Sequence, residues 1–120
     1  APTFKRPHIL YRPPVRDSFE LHLQRCQGSE AWTLHGLWPS RGEYCEVAAA
    51  SWTMVSSEIS PLYDRLQSDW PTCPELGYTN EALWLHEWRK HGSCSGLSVR
   101  EYFAACLHLL DKYRRGLVYK

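Results

Sequence analysis

The chain has 120 residues, and its 14 Lys and Arg nearly balance 13 Asp and Glu, for a net charge of +1. Domains usually hold about 50–200 residues, so we expect residues 1–120 to fold as one domain. The basic residues crowd the two ends of the chain and the middle is acidic, so the charge pattern does not indicate a long-range field that attracts nucleic acid. No apolar run approaches the roughly 18 residues that span a membrane, so no membrane partner is expected.

Residues 1–16 hold four prolines among basic residues, which predicts an irregular, extended strap. Alternating apolar and polar residues then predict a strand over residues 19–23, with its apolar side chains facing inward. A second short strand is predicted over residues 32–35, stopped by Gly36 and Pro39. An antiparallel sheet is expected to hold the strand with His35 beside the helix that carries His86.

The middle of the chain predicts two helices and a loop. An Ala-rich helical stretch is expected within residues 46–60, and Pro61 can open a second helix over residues 62–70 at its first turn. Residues 70–74 must form a loop, because each of the two prolines there disfavours a helical conformation in the residue before it.

Two further helices are predicted in the last third of the chain. Asn80 can cap a helix that carries residues 83–91, and Gly92 would end this helix in a position that tolerates positive φ. Ser98 and Glu101 have the spacing of a capping box and begin the last helix. These elements together predict an α+β fold, in which an antiparallel sheet packs with helices.

Five cysteines are spread along the chain, without a Cys-x-x-Cys pair of the kind that binds zinc or exchanges disulfides. A disulfide framework is therefore predicted, which indicates a secreted protein or an oxidising compartment such as a lysosome, vacuole or periplasm. The start at Ala-Pro-Thr without Met is compatible with a removed signal peptide, and trimming of the chain would look the same. The cysteines are Cys26, Cys45, Cys73, Cys94 and Cys106.

Four ionisable side chains share one side of the helix that holds residues 83–91. Each helical residue turns by about 100°, so with His86 at zero, Lys90 lies at about 40°. Glu87 then lies at about 100° and His91 at about 140°. A carboxylate, an ammonium and two imidazoles at this density suit proton transfer and the stabilisation of an anionic transition state.

Two other interpretations of this helix remain open. A solvated polar face would carry the same charges. A zinc site is the sharper alternative, but the zinc motif needs two His four residues apart, whereas His86 and His91 are five apart and diverge by about 140°. We therefore expect neither a metal nor another cofactor.

Two segments of the chain resemble the signature sequences of the ribonuclease T2 family. They read Thr-Leu-His-Gly-Leu-Trp-Pro over residues 33–39 and Leu-Trp-Leu-His-Glu-Trp-Arg-Lys-His-Gly-Ser-Cys over residues 83–94. Both are nearly complete and stand in the family's order. The resemblance covers residues from about 19 to 113, and it implies the family's α+β fold.

The resemblance implies an endoribonuclease that cleaves single-stranded RNA without metal, leaving a 2′,3′-cyclic phosphate and a 5′-hydroxyl end. His91 would be the general base that removes the 2′-OH proton, and His35 the general acid that protonates the leaving 5′-oxygen. His86 would bind phosphate or assist proton transfer, while Glu87 and Lys90 would stabilise the pentacoordinate phosphorane. DNA lacks the 2′-OH nucleophile and is not expected to be cleaved.

The resemblance also suggests contacts with the substrate bases. Trp38 and Tyr44 are candidates for stacking the base 5′ of the cut, worth about 1–3 kcal/mol per base, and a place in the core is the alternative for Trp38. Leu83 stands in the substrate region where family members often have an aromatic residue, and Ser40 stands where they often have Asp. These two differences leave the base preference open.

The disulfide pairing implied by the resemblance is Cys45 with Cys94 and Cys26 with Cys73. Each bond would close a loop of nearly fifty residues and contribute about 3–4 kcal/mol by restricting the unfolded chain. Cys106 is left over on the apolar face of its helix, where we expect a buried free thiol.

Similar enzymes continue for several strands beyond the last predicted helix. The chain is therefore a minimal enzyme, a processed chain or a toxin-like domain of a longer protein, and the sequence alone does not choose between these. A catalytically weak RNA-binding domain is the alternative function, and a disulfide-rich structural protein would have no use for both signatures. An inhibitor or immunity protein is a candidate partner, and a monomer is expected.

Overall fold

A two-stranded antiparallel sheet opens the part of the chain that the computed structural model describes, which is residues 18–46 and 50–119. Strand β1 comprises Phe19–Gln24 and strand β2 comprises Thr33–Pro39. The apolar side of β1 packs on the core, with Phe19 buried, as the alternating pattern predicts. The predicted strap over residues 1–16 lies outside the described residues.

The pairing of the two strands slips by one residue at His35. His22 pairs with Gly36, whereas the next residue of β1 pairs with Leu34, so His35 is an extra residue in the ladder. Such a β-bulge re-aims the side chains around it. It allows Leu34 and Leu37 to be buried in one core although strict alternation would place them on opposite faces.

The prediction that β2 stops at His35 was wrong, because the strand continues through Gly36 to Pro39. Glycine weakens a strand when nothing compensates for its missing side chain, and it also marks places where another group approaches the backbone closely. The second reason applies here. A Cβ atom on Gly36 would lie 2.2 Å from Oε1 of Glu87.

Four α-helices follow within the described residues, joined by short 3-10 turns. Helix α4 packs against β2, α1 and α2, and the core between them is rich in aromatic side chains. This arrangement of helices on an antiparallel sheet is the α+β fold that the sequence predicts. The helices are α1 (Trp52–Ile59), α2 (Tyr63–Asp69), α3 (Asn80–Lys90) and α4 (Val99–Tyr119).

The helix starts differ from the predictions at two places. Helix α1 begins at Trp52, later than expected, and the Oγ of Ser51 accepts a hydrogen bond from the Met54 amide to cap it. The residue that caps α3 is Thr79, one position before the predicted Asn80. The side chain of Asn80 instead accepts a hydrogen bond from a loop amide, the N–H of Thr72, at 2.8 Å.

The second helix begins after Pro61, and the last helix begins with the predicted capping box. Pro61 lies in a 3-10 turn over Ser60–Leu62, and α2 follows this turn. The capping box is confirmed, because Glu101 Oε1 accepts from the Ser98 amide at 2.9 Å and Ser98 Oγ accepts from the Glu101 amide at 3.2 Å.

Gly92 does not have the positive φ predicted for it and instead begins a 3-10 turn. The constraint is steric. A Cβ atom at this position would lie 2.3 Å from the Trp88 ring and 2.9 Å from the Tyr102 ring. The close packing of the end of α3 against α4 therefore depends on glycine here.

Both disulfides implied by the resemblance are present in the structure. Cys26 bonds to Cys73, which ties the segment after β1 to the loop after α2, and Cys45 bonds to Cys94, which ties the segment after β2 to the 3-10 turn after α3. Cys106 is a free, buried cysteine on α4, as predicted. The two bonds thus join the segments that follow β1 and β2 to the parts of the chain before and after α3.

Candidate active site

The carboxylate of Glu87 lies at the centre of the candidate site and is almost fully buried. Helix α3 brings it there because the apolar residues next to it, Leu83, Trp84 and Trp88, are buried in the core. The missing side chain of Gly36 leaves the space that the carboxylate enters. A buried carboxylate is costly unless polar groups surround it, so its neighbours are informative.

Two imidazoles face the two oxygens of this carboxylate. His35 Nε2 lies 3.6 Å from Oε2 of Glu87, and His91 Nε2 lies 4.0 Å from Oε1. The two rings differ in their access to solvent, because the side chain of His35 is 40% exposed and that of His91 is 5% exposed. One carboxylate thus lies between an exposed imidazole and a shielded one.

His35 is held in place by its backbone. The β-bulge makes it the extra residue of β2, and its carbonyl oxygen accepts a hydrogen bond from the indole of Trp70 at 3.1 Å. The carbonyl of Trp70 in turn accepts one from the indole of Trp84 at 2.7 Å. Two buried tryptophans therefore connect α3 to the strand residue whose side chain points to Glu87.

His91 ends α3, where its amide donates to the Glu87 carbonyl at 3.0 Å. Burial lowers the pKa of His91 below its ordinary value, and this effect outweighs the carboxylate of Glu87, which raises the pKa. Lys90 adds to the lowering. The His91 imidazole is therefore held in its neutral form over a wider pH range than a free imidazole.

Trp38 is stacked between two imidazoles. Its ring lies 4.6 Å from that of His91 at an interplanar angle of 14°, and 3.4 Å from that of His22 at 20°. The indole N–H also donates to Oε1 of Glu87 at 3.3 Å. His22 contacts Oε1 of Glu20 at 3.0 Å, so the outer ring of the stack is itself held.

Two pockets adjoin this cluster. The pocket on the His35 side has a volume of about 360 Å³ and is lined by His35, Tyr78, Ala82, Leu83, His86 and Glu87. The pocket on the Trp38 side has a volume of about 290 Å³ and is lined by Ser18, Glu20, Trp38, Pro39, Ser40, Gly42, Glu43 and His91. The predicted substrate residue Leu83 and the predicted phosphate ligand His86 thus share the first pocket.

The remaining predicted residues lie at the edge of the second pocket. Lys90 Nζ is 3.9 Å from Oε2 of Glu43, which lines that pocket. The amide of Tyr44 donates to the Lys90 carbonyl at 2.8 Å, and the Tyr44 side chain is 58% exposed. Tyr44 has a φ of 53°, a left-handed conformation that is uncommon for a bulky residue and often marks a functional site.

Sequence reasoning missed three residues that organise the site. Trp70 holds the backbone of His35, and His22 covers Trp38. The hydroxyl of Tyr102 accepts from the Leu37 amide at 3.2 Å and donates to the Leu37 carbonyl at 3.0 Å, which attaches α4 to β2. Only His22 carried a signal, because it alternates with the inward-facing residues of β1.

Potential metal ligands converge elsewhere. Across residues 18–46 and 50–119, one group places three potential ligand atoms within 4.8 Å of one another, and it consists of Cys26, Cys73 and Glu75. The two sulfurs are joined in a disulfide, so the group has no thiolate to offer a metal. None of the helices described here is long and apolar enough to cross a membrane.

The family model of the Ribonuclease T2 family matches residues 16–118 of the chain. Among similar proteins, "Ribonuclease 1" of Arabidopsis thaliana is 41% identical over 83 residues, covering 66% of this chain and 36% of that protein. "Ribonuclease T2" of Homo sapiens is 35% identical over 83 residues, covering 65% and 31%. The chain thus spans about a third of the length of these curated relatives.

Solved structures show the same fold. Ribonuclease MC1 from the seeds of bitter gourd superposes with a TM-score of 0.67 at 27% identity, covering 81% of this chain and 58% of that one. RNase NT in complex with 5′-AMP gives a TM-score of 0.57 at 30% identity, covering 72% and 45%. Sequence match and fold agree, and the chain belongs to the ribonuclease T2 family.

Proposed function

We propose that the chain is an endoribonuclease that cleaves single-stranded RNA by transesterification, independently of metal. The observation that carries this proposal is the Glu87 carboxylate between the exposed imidazole of His35 and the shielded imidazole of His91. Cleavage requires one group that accepts a proton and another that donates one in the same step. Two imidazoles in unlike surroundings provide that pair near neutral pH.

His91 is the general base of the proposed reaction. Its lowered pKa keeps the imidazole neutral, so it can take the proton of the ribose 2′-OH as that oxygen attacks the adjacent phosphorus. His35 is the general acid, because its solvent-accessible ring on the open pocket can reach the leaving 5′-oxygen. The products are a 2′,3′-cyclic phosphate and a 5′-hydroxyl end.

The charge that builds up on the phosphorane needs positive neighbours. His86 opens into the same pocket as His35 and is proposed to bind the phosphate. Lys90 stands at the opposite pocket and is proposed to stabilise the transition state once substrate competes with Glu43 for its ammonium group. Glu87 holds the two acting imidazoles in place through its two oxygens.

The two pockets are proposed to receive the bases on either side of the cut. Leu83 and Tyr78 offer apolar and aromatic surface in the pocket on the His35 side, and Tyr44 is exposed at the edge of the other. A base can stack on Trp38 only after an imidazole has moved. RNase NT and a mutant of RNase MC1 are described as complexes with 5′-AMP and 5′-GMP, which supports nucleotide binding by this fold.

The proposed setting follows from the disulfides. Two such bonds are stable in a secreted protein or in a lysosomal, vacuolar or periplasmic compartment. We propose a monomer whose substrate is RNA, with no role for DNA, and an inhibitor or immunity protein as a candidate partner.

The test is incubation of the purified chain with a single-stranded RNA in excess chelator, followed by analysis of the new ends. We expect cleavage with 2′,3′-cyclic phosphate ends. A DNA oligonucleotide with one ribose is the matched substrate, and it should be cut only after that ribose. Cleavage that stops in chelator and returns with zinc would contradict the proposal, and binding without cleavage would favour the RNA-binding alternative.

A further inference from the structure

We propose that Trp70 is a positioning residue for His35, the proposed general acid, and that it acts through the backbone of β2. Its indole N–H fixes where the His35 ring stands against Glu87 and has little influence on His91. The kinetic part of this inference rests on the proposed ribonuclease function, and the geometric part does not. Three observations support it: the bulge at His35, the firm support of Trp70, and the open surroundings of the His35 ring.

The backbone of His35 lies where the pairing of the two strands is interrupted. His22 pairs with Gly36 and the next residue of β1 pairs with Leu34, so His35 is the extra residue of the ladder. A ladder leaves its bulged residue unpaired, and a carbonyl turned towards the core needs a donor from elsewhere. Trp70, which has no exposed surface, supplies that donor through Nε1 at 3.1 Å.

Trp70 is a firm anchor because two helices hold it. Its ring packs against Tyr102 and Phe103 of α4, with ring centroids 6.4 and 5.1 Å away. Its carbonyl accepts a hydrogen bond from the indole of Trp84 on α3 at 2.7 Å. The N–H that reaches His35 therefore starts from a point that α3 and α4 define together.

The ring of His35 has less support from its surroundings than the ring of His91. The His35 side chain is 40% exposed, and its Nε2 lies 3.6 Å from Oε2 of Glu87, which is too long for a good hydrogen bond. The His91 side chain is 5% exposed, and its amide donates to the Glu87 carbonyl at the end of α3. The backbone thus positions the His35 ring, whereas burial and its own helix position His91. A change at Trp70 should reach the acid and spare the base.

This difference gives the positioning role a kinetic signature. Proton transfer to the leaving 5′-oxygen requires the imidazole of His35 within hydrogen-bond reach, and a misplacement of about 1 Å can cost on the order of 100-fold in rate. A leaving group that departs without a proton does not depend on that distance. Loss of the Trp70 N–H should therefore matter only where the leaving group needs the proton of His35.

The experiment compares Trp70→Phe with wild type on two substrates that share one nucleoside. One is a dinucleoside monophosphate, whose leaving 5′-oxygen must be protonated. The other is the nucleoside 3′-(4-nitrophenyl phosphate), whose leaving group needs little protonation. We expect kcat to fall about 10–100-fold on the first and by less than about 2-fold on the second. Equal losses on both substrates would overturn the proposal, because a general loss of structure lowers both.

Trp88→Phe is the matched control. It removes the indole N–H of another buried tryptophan, whose acceptor is the carboxylate of Glu46 and not the backbone of β2. Any loss of activity in this variant should be the same on both substrates, and a loss confined to the dinucleoside would overturn the role of the bond to His35. If Trp70→Phe does not fold, benzothienylalanine at position 70 replaces it, because sulfur then takes the place of the N–H and the ring shape is kept.

The second measurement does not depend on activity. Crystal structures of wild type and Trp70→Phe give the distances from both imidazoles to Glu87. We expect the His35 distance to lengthen by about 0.5–1 Å in the variant, while the His91 distance stays near 4.0 Å. An unchanged His35 distance would overturn the positioning role. If wild type cleaves neither substrate, the ribonuclease proposal fails, while this comparison still decides the role of Trp70.

Discussion

The two sides of the Glu87 carboxylate have different surroundings. On one side His35 opens into a pocket with apolar and aromatic walls. On the other, His91 is covered by Trp38 and has little contact with water. Each side has the same chemical pair, one carboxylate oxygen and one imidazole. The difference between the two sides therefore comes from packing alone.

In the proposed mechanism, this difference is what gives the two histidines opposite tasks. Desolvation favours the neutral imidazole, which can accept a proton, while access to water and phosphate suits an imidazole that must donate one. The assignment of His91 as base and His35 as acid depends on this asymmetry. Substitutions that change the surroundings of only one of the two histidines should therefore have effects that can be told apart.

The largest effect is expected from removing either imidazole. His35→Ala and His91→Ala should each lower kcat about 10²–10⁴-fold, the usual contribution of a positioned acid or base. A nucleoside 3′-phosphate aryl ester, whose leaving group needs little protonation, should largely rescue His35→Ala and fail to rescue His91→Ala. Rescue of His91→Ala instead would exchange the two roles.

Gly36→Ala should disturb both sides at once. Its Cβ would lie 2.2 Å from Oε1 of Glu87, so the carboxylate must move away from its two imidazoles. We expect a stability loss of about 1–3 kcal/mol from overpacking, measured by urea unfolding, together with reduced cleavage. Gly116→Ala, where a Cβ meets open space, is the control and should not destabilise the protein. Normal cleavage by Gly36→Ala would show that the position of Glu87 is not critical.

Tyr102→Phe tests the support beneath the site. The hydroxyl pairs with both the amide and the carbonyl of Leu37, and its removal leaves these buried groups without that partner. The free energy of unfolding should fall by about 1–3 kcal/mol. Tyr113→Phe on the same helix should change it by less than about 0.5 kcal/mol. Equal effects of the two changes would mean that the bonds to Leu37 contribute nothing.

The shielding of His91 also predicts a pH dependence of stability. Its pKa in the folded protein is lowered, so the unfolded chain binds the proton more readily and stability rises with pH in that window. The contribution of His91 is fully present above about pH 6.5, the ordinary imidazole value, and is lost as the pH falls through the lowered pKa. Urea unfolding at several pH values should show this slope in wild type and a smaller one in His91→Gln. Identical slopes would contradict the shielding.

The smallest effect is expected at Cys106, behind the site. Burial raises the pKa of this thiol well above its usual value, with a further contribution from Glu87, so it stays protonated. A thiol reagent should not label the native protein and should label one cysteine after denaturation without reductant. Fast labelling of the native protein would show that this region opens readily.

The sequence predicted which side chains gather at the candidate site better than it predicted what holds them there. Glu87 and His91 could be brought together by helix periodicity because residues four apart lie on one face. The bulge at His35 could not be predicted, since it depends on how two strands pair. Gly36 and Gly92 were assigned to chain breaks and positive φ, whereas their role is to leave room for Glu87 and for two aromatic rings. Such reasons exist only in the packed structure.

The hydroxyl of Tyr102 has one more consequence, which concerns the edge of the sheet. An edge strand exposes amides and carbonyls that can recruit a strand from another molecule and start aggregation. At Leu37 both groups are already bound by a side chain from α4. A foreign strand cannot pair with the centre of β2 until that helix withdraws, so one tyrosine protects the sheet where the candidate active site is attached to it.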